Sequence, residues 1–488
     1  MKTTKLIILL VFIELITLQF INAEVKLPEI VSSNMVLQRN TTVVLWGWAD
    51  ANENIEIESS WLNEVKKISA DNKGTWSVEI VTTNSKEAQT IKITSITSHI
   101  LLENILFGEV WLCSGQSNME QPIKGFNGQP TFGATEAITL ANNQNLRLFA
   151  VRRAGSKTPQ YKLKKYTGWQ QATPNNISDF SAVAYFFGQQ LQTVLNVPVG
   201  LIHTSHGGSN VQAWMSKEVM STYQNVNLDE VNITKNTHKT PTALFNAMIN
   251  PLIPYTIKGA LWYQGEANRN DPENYTKLFP AMVKDWRARW GIGNFPFYYV
   301  QIAPYSYGSE KTVNTAFIRE AQLQCLDLIP NSGIAITMDV GSAYSIHPPK
   351  KKEVADRLLY NALNQTYGYK KVDFASPVYD SFEIEKDHIK LIFKNAKMGL
   401  YALDALEGFE IAGADKVFHP AKAKIINRKN ILTVSSGDVP NPVAVRYAWK
   451  NWIVGTLFNT SLLPAASFRT DDWDDATQAN KNRKNDLD

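Results

Sequence analysis

The sequence contains little cysteine and carries little net charge. Only Cys113 and Cys325 occur among 488 residues, which excludes a fold stapled by several disulfides. We expect two buried thiols, with a single disulfide between them as the alternative. The formal net charge is +4 and the longest basic run is 350–352, so nucleic acid is not expected as a partner. No cluster of histidine, cysteine and carboxylate residues has metal-ligand spacing, and the sequence predicts no metal and no cofactor.

Long hydrophobic runs are scarce as well. The longest mostly apolar stretch, Leu6 to Phe20, follows two lysines and is interrupted by Glu14, which makes it too short and too polar for a stable membrane span. Ala23 offers a small residue for cleavage before Glu24. We therefore predict that residues 1–23 are a cleavable signal peptide and that the protein is secreted or periplasmic. An uncleaved anchor is the alternative.

The remaining chain is long enough for about three domains. Residues 24–104 have period-two patterns that predict an antiparallel β-sandwich. The inward-facing positions of this region are Val43, Leu45, Ile55, Ile57, Trp76, Val78, Ile80, Ile91 and Ile93. Residues 371–470 return to β patterns, and residues 471–488 form a polar tail that we expect to be disordered.

Strands alternate with helices between residues 105 and 370. The apolar, strand-like runs are 106–113, 197–203, 257–263, 296–303 and 333–338. The clearest helix covers 273–290, where Asp271 and Pro272 precede it and Gly291 ends it. Such alternation predicts an α/β domain with a parallel sheet between two helical layers, flanked by the two β domains.

The segment 108–119 is the most informative part of this domain. Its apolar run stops at a polar, glycine-containing turn that holds Ser117 between Gln116 and Asn118. Open α/β sheets place reactive groups at such carboxyl ends of strands, and the two amides can assist binding. Met119 stands where a Gly-x-Ser-x-Gly elbow has its second glycine, so this is not that motif. An ordinary polar turn is the alternative, and Ser117 requires partners elsewhere.

Two further segments follow predicted strands. Gly207 and Gly208 can bring backbone N–H groups close to a ligand and form part of an oxyanion hole. Gln264, Glu266 and Asn268 close the next run, where the amides can donate to an oxyanion and the carboxylate can position a neighbour. The alternatives are a plain glycine turn and a capped turn before the long helix.

His347 is the candidate base. Pro348 restricts it to an extended conformation, which projects the imidazole from a fixed loop. An imidazole in such a position suits a general base with a pKa near the working pH. A structural histidine is the alternative, and His203 and His206 are rival bases by the same reasoning.

Together these motifs resemble the sialate O-acetylesterases, which are SGNH-type hydrolases. The resemblance rests on Gly-Gln-Ser-Asn-Met at 115–119, Trp-Tyr-Gln-Gly-Glu at 262–266 and Ile-His-Pro-Pro-Lys at 346–350. Residues 34–39, 46–48 and 445–449 also resemble that family, so the resemblance covers essentially the whole chain after residue 23. It implies a three-layer SGNH-hydrolase domain with β domains on both sides.

The resemblance also implies the site. Ser117 would be the nucleophile and His347 the base, with N–H groups of Ser117 and of Gly207 or Gly208, and the amide of Gln264, around the oxyanion. SGNH hydrolases commonly carry an aspartate three residues before the histidine, where this chain has Tyr344. We therefore expect a Ser–His dyad oriented by a backbone carbonyl, with Asp339 as the candidate third member.

The expected function is acetate release from O-acetylated sugars through an acyl-enzyme. The alternatives are the same chemistry on acetylxylan or another plant glycan, and a non-catalytic glycan-binding protein. A sialate site should offer a cation to the sugar's carboxylate, for which Arg152, Arg153, Arg269 and Arg319 are candidates. The sequence leaves the sugar, the binding role of the β domains and the oligomeric state open.

Overall fold

The computed structural model describes residues 24–223, 228, 236–308, 314–427 and 429–473. The predicted signal peptide and residues 474–488 of the predicted tail lie outside these ranges. Within them, no helix is long and apolar enough to cross a membrane.

The N-terminal region forms two packed β layers. Its strands are β1 (Val36–Gln38), β2 (Thr42–Trp48), β3 (Asn54–Ser59), β4 (Lys66–Ser69), β5 (Thr75–Val81), β6 (Gln89–Thr94) and β7 (His99–Gly115). β2 pairs with β5, and the second layer runs β4-β3-β6-β7. The strand pattern predicted from period two is confirmed, because all nine inward positions are buried at 9% exposure or less.

The strand β7 joins two regions that the sequence patterns had separated. It is 17 residues long and crosses the predicted boundary between residues 104 and 105. Its first part pairs with β6, whereas its last part, from Glu109 to Gly115, pairs with the central sheet. The N-terminal β region is therefore continuous with the α/β region through one strand.

The central sheet has the predicted parallel arrangement. The remaining strands are β8 (Asn143–Val151), β9 (Gln170–Ala172), β10 (Val199–Ser205), β11 (Gly259–Tyr263), β12 (Phe297–Val300) and β13 (Ser332–Ala335). The order is β13-β12-β11-β7-β10-β8-β9. Neighbours are parallel up to β8, and β9 is an antiparallel edge strand.

Helices cover both faces of this sheet. They are α1 (Ser117–Glu120), α2 (Ala134–Leu140), α3 (Pro174–Ser178), α4 (Ala182–Leu195), α5 (Lys217–Met220), α6 (Pro272–Trp290), α7 (Ala316–Leu328) and α8 (Lys351–Asn361). Short 3₁₀ and π segments cover Val211–Trp214, Phe245–Ile249, Asn250–Leu252, Glu266–Asn268 and Ala362–Thr366. α4 and α8 pack against the face of Trp111, and α6 and α7 against the face of Trp262. The three-layer prediction is thus confirmed.

Helix α6 matches its prediction within one residue. Its apolar stripe, from Tyr275 to Trp290, is buried against the sheet. The helix ends at Gly291, whose φ of +67° closes it in the left-handed conformation that glycine adopts without strain.

The C-terminal region is antiparallel β. Its strands are β14 (Val378–Glu385), β15 (His388–Lys394), β16 (Leu400–Ala402), β17 (Phe409–Ala412), β18 (Phe418–Pro420), β19 (Lys422–Ile425), β20 (Ile431–Ser435), β21 (Ala444–Tyr447), β22 (Leu457–Asn459) and β23 (Phe468–Arg469). They form sheets β14-β15-β20-β19 and β18-β17-β21-β23 and the pair β16-β22. Arg319 of α7 fastens this region by donating to the carbonyls of Ala448 and Lys450 at 3.1 and 2.7 Å.

Both cysteines are free and buried. Burial raises the pKa of the Cys325 thiol to about 12 and raises that of Cys113 as well, which keeps both in the unreactive thiol form.

Candidate active site

The turn that carries Ser117 lies where three parallel strands end together. Gly115, the last residue of β7, has a φ of +142°, and a Cβ there would lie 2.2 Å from the carbonyl oxygen of Tyr263. The backbone N–H of Gln116 donates to that carbonyl at 2.9 Å, and the N–H of His206 donates to the Gly115 carbonyl at 3.1 Å. The loops after β7, β10 and β11 are thereby held side by side, and Ser117 opens α1 among them.

Ser117 and His347 lie on segments that one side chain joins. The Nδ2 group of Asn118 donates to the carbonyl oxygen of Ile346 at 3.0 Å. The residue after the candidate nucleophile is therefore bonded to the residue before the candidate base. The fold thus joins two segments that lie far apart in the chain.

The His347 imidazole is oriented by a side chain that the sequence had not suggested. Its Nδ1 contacts the Oε1 atom of Gln129, and the ring of Phe126 packs edge-on at 5.3 Å. A carboxamide oxygen only accepts, so Nδ1 carries the hydrogen and the lone pair of Nε2 stays available as a base. The expectation that a backbone carbonyl orients the ring is corrected, because Gln129 does so.

A tight turn holds Gln129 in place. Phe126 and Gln129 exchange two backbone hydrogen bonds of 3.0 Å across Asn127 and Gly128. Gly128 has a φ of +69°, which suits the asparagine–glycine pairs found in tight turns. The carboxamide is therefore presented from a short, well-defined loop.

The environment keeps His347 neutral. Its pKa is lowered from 6.5 to about 4, mainly by burial and also by the charge of Lys351, while Glu120 acts in the opposite direction. The imidazole is consequently neutral at neutral pH.

Asp339 is not the third member of a triad. Both of its carboxylate oxygens accept hydrogen bonds from Arg357, at 2.8 and 2.6 Å, and Arg357 also donates to the carbonyl of Ile336 at 2.7 Å. The carboxylate thus anchors helix α8, while the Nδ1 atom of His347 has Gln129 as its partner.

The glycine loop lies against Ser117, but one of its amides is occupied. A Cβ at Gly207 would contact the Cβ of Ser117 at 3.4 Å and would crowd Oε2 of Glu120 at 3.0 Å. The Gly207 N–H donates to Oε2 of Glu120 at 2.8 Å, and Glu120 also pairs with Arg153 through two contacts of 2.6 Å. Gly207 is therefore not an oxyanion donor. Gly208, with a φ of +74°, has no backbone hydrogen bond from its N–H within the described part of the chain.

The amides predicted around the oxyanion bind the loops to each other. Nε2 of the fully buried Gln264 donates to Oδ1 of Asn268 at 2.8 Å and to the carbonyl of Ser209 at 3.1 Å. Oε1 of Gln116 accepts from the N–H of Ala267 at 3.2 Å. Nδ2 of Asn268 donates to Oε1 of Gln212 at 3.0 Å, so the amides of both Gln264 and Asn268 bond to other parts of the protein and act as scaffold.

A buried pair of ionisable side chains, Glu266 and Lys351, contacts Asn118, the residue after Ser117. Asn118 donates to Oε1 of Glu266, and Lys351 donates to Oδ1 of Asn118. Burial raises the pKa of Glu266 and lowers that of Lys351 to about 7, an effect that the charge of Glu266 opposes. Glu266 thus contacts the turn that carries Ser117 through Asn118.

The rival histidines have other contacts. His203 is buried beside Phe180, shares a 2.6 Å hydrogen bond with Ser205, and has its pKa lowered to about 4, mainly by burial. His206 contacts the carbonyl oxygen of Gly207 through Nδ1 at 3.0 Å, and burial lowers its pKa.

The four arginines named as candidate partners for a sugar carboxylate differ in their contacts and exposure. Arg153 is paired with Glu120, and Arg319 is buried against the C-terminal region. Arg269 donates to the Glu266 carbonyl at 2.9 Å and lies 5.2 Å over the ring of Tyr307. Arg152 is exposed.

Three comparisons relate this arrangement to known proteins. A family model described as carbohydrate esterase, sialic acid-specific acetylesterase, matches residues 108–348. A solved structure of a carbohydrate acetylesterase from Xanthomonas citri is 33% identical with a TM-score of 0.84, and the match covers 92% of this chain and 100% of that chain. The sialate O-acetylesterases of Homo sapiens and Mus musculus are 28% and 27% identical, over 86% and 90% of this chain and 87% and 93% of theirs.

These similarities extend over the β regions as well as the α/β region, and the matched segment includes both Ser117 and His347. They favour an ester hydrolase over a non-catalytic binding protein. The chain belongs to the sialate O-acetylesterase family of carbohydrate esterases.

Proposed function

We propose that this carbohydrate esterase releases acetate from O-acetylated sugars through an acyl-enzyme on Ser117. The observation that carries the proposal is the link between the two reactive segments. Asn118 ties the Ser117 turn to the His347 loop, and Gln129 holds the ring so that Nε2 is free. A hydroxyl and a neutral imidazole in this arrangement suit nucleophilic catalysis with general-base assistance.

The first half of the reaction transfers the acetyl group. The Ser117 oxygen attacks the acetyl carbonyl carbon while Nε2 of His347 accepts the hydroxyl proton. The tetrahedral oxyanion is stabilised by the backbone N–H groups of Ser117 and Gly208, each contributing about 3 kcal/mol. The carbon–oxygen bond to the sugar then breaks, and His347 returns the proton to the leaving sugar oxygen.

The second half regenerates the enzyme. Water attacks the acetyl-serine carbonyl while His347 accepts one of its protons. The bond to the serine oxygen breaks, His347 protonates that oxygen, and acetate leaves. In contrast to an aspartate, the neutral Gln129 orients the ring without adding a negative charge to stabilise the imidazolium.

Replacing Gln129 distinguishes it from Asp339 as the orienting residue. We expect Gln129→Ala to lower kcat by about 10²-fold, because the ring loses the bond that sets its tautomer and direction. Asp339→Asn should leave kcat/KM within about threefold while lowering stability by about 1–3 kcal/mol through its bond to Arg357. Steady-state kinetics measure the changes in kcat and kcat/KM of both variants, and thermal unfolding measures the change in stability. A larger kcat loss in Asp339→Asn than in Gln129→Ala would contradict the assignment.

The acid limb of the pH profile should lie unusually low. Because burial and Lys351 hold the pKa of His347 near 4, kcat/KM should stay constant down to about pH 5 and fall with a midpoint near 4. Protonated His347 cannot accept the serine proton, so activity is lost as the pH falls. Gln129→Glu places a carboxylate against Nδ1 and should move the midpoint upward. A wild-type midpoint near 6.5 would contradict the proposed environment.

The sugar is a separate question. Acetylated sialic acid is one proposed substrate class, since the curated relatives carry that name. A neutral glycan such as acetylxylan is the second, and it is favoured by the pairing of Arg153 with Glu120, which leaves that cation unsuited to a substrate carboxylate. The measurement is kcat/KM of wild type and of Arg269→Gln on acetylated sialic acid and on acetylxylan, which distinguishes the two substrate classes. Only a sialate site predicts a selective loss on the acidic sugar.

We also propose that the protein is exported. The support is the pattern of residues 1–23, a charged start followed by an apolar stretch and a small residue before Glu24. N-terminal sequencing of the protein from periplasm or medium should begin at Glu24. Retention of Met1 in that fraction would contradict cleavage.

A further inference from the structure

Lys351 is buried in a place where lysine is rarely found. It is the first residue of α8, and its side chain is fully buried, whereas the neighbouring Lys352 is 54% exposed. An ammonium group removed from water is costly unless oxygen atoms surround it. Its presence therefore requires an explanation from its contacts.

Those contacts lead to the nucleophile turn. The Nζ group of Lys351 donates to Oδ1 of Asn118 and lies 5.7 Å from the centre of the Tyr263 ring. Because the lysine occupies Oδ1, the Nδ2 group of Asn118 points the other way, where it donates to Glu266 and to the carbonyl of Ile346. All three bonds depend on one orientation of a single carboxamide.

We propose that Lys351 is a positioning residue whose buried Nζ group fixes the Asn118 carboxamide and thereby the placement of Ser117 relative to His347. This inference rests on the catalytic roles proposed above. The lysine touches neither reacting atom, and it acts through Asn118.

The charges around the cluster give Lys351 a second effect. Glu266 is the acidic group whose charge acts on Lys351, and the Tyr263 ring lies next to the Nζ group. The charged groups that act on His347 are Lys351 on α8 and Glu120 on α1, and Glu120 is paired with Arg153. Removing the Lys351 charge should therefore make His347 easier to protonate.

The test compares Lys351→Met with Lys352→Met as a matched control. The first variant should lower kcat by about 10- to 100-fold with KM changed less than about threefold, because misplacement of reacting groups affects the chemical step. The pKa of His347, followed by NMR with His347→Ala for assignment, should rise by roughly half a unit or more. Lys352→Met should leave both quantities unchanged, and Lys351→Arg should restore part of kcat.

A second variant covers the risk of misfolding. Lys351→Met combined with Glu266→Gln removes both buried charges, so no uncompensated ion remains, and the double variant should fold with the same two changes. A folded variant with wild-type kcat, or with an unchanged His347 pKa, overturns the inference. The NMR titration needs no substrate, so it tests Lys351 even if the wild-type protein releases no acetate, an outcome that would count against the proposed function instead.

Discussion

Ser117→Ala is expected to lower kcat/KM for acetate release by about 10³- to 10⁶-fold. The serine oxygen is the atom that receives the acetyl group, and the remaining activity would come from the oxyanion donors and substrate binding alone. The ratio of kcat/KM is obtained from acetate release from acetylated sugars, measured with purified wild type and variant of equal thermal stability. Mass spectrometry of wild type quenched during turnover should show an acetyl group on Ser117.

Ser114→Ala is the matched control. Ser114 lies three residues earlier, near the end of β7, is buried, and its hydroxyl has no hydrogen-bond partner in the described ranges. Its removal should therefore leave kcat/KM close to wild type. Undiminished hydrolysis by Ser117→Ala, or an equal loss in Ser114→Ala, would remove Ser117 from the mechanism.

His347→Ala is expected to produce the second large loss, of about 10³-fold or more in kcat/KM. Without the imidazole, no group accepts the serine proton or returns it to the leaving sugar. The double variant Ser117→Ala with His347→Ala should lose about as much as the more severe single variant, because the two groups act as one unit. Additive losses would show that the two residues act independently.

His206 offers the discriminating control for the base. It lies on the loop after β10, and its Nδ1 contacts the carbonyl oxygen of Gly207. His206→Ala should retain most of the activity, while His347→Ala should not. A reversed order would assign the base to the glycine loop and leave Gln129 without its proposed role.

Much of the fold could be predicted because its signals are short-range. The alternation of apolar residues predicted the inward side of β2, β3, β5 and β6, and the apolar stripe of α6 predicted its burial. The domain boundary predicted at residue 104 was wrong, because β7 crosses it without a break. A strand that leaves one sheet and enters another keeps the same local pattern, so nothing in the sequence of β7 marks the change.

Within the site, the sequence indicated which polar residues follow the strands but not which atoms their side chains bond to. Gln264 and Asn268 lie where predicted, yet their amides bond to neighbouring loops instead of facing a cleft. Gln129 follows an asparagine–glycine pair, a turn signal that was present but had no link to catalysis. Lys351 stands in a run of three lysines, a pattern typical of a solvated surface.

The alternation of strands and helices, the glycine-containing turns and the polar residues at the edge of the sheet could be predicted from the order of amino acids, since these features depend on neighbours within a few positions. Which side chains bond to each other depends on the packing of the whole fold. Gln129 and His347 lie 218 positions apart, and Asn118 and Lys351 lie 233 apart. Such pairs form only when the packed sheet brings their loops together, so no local pattern specifies which buried donor finds which acceptor.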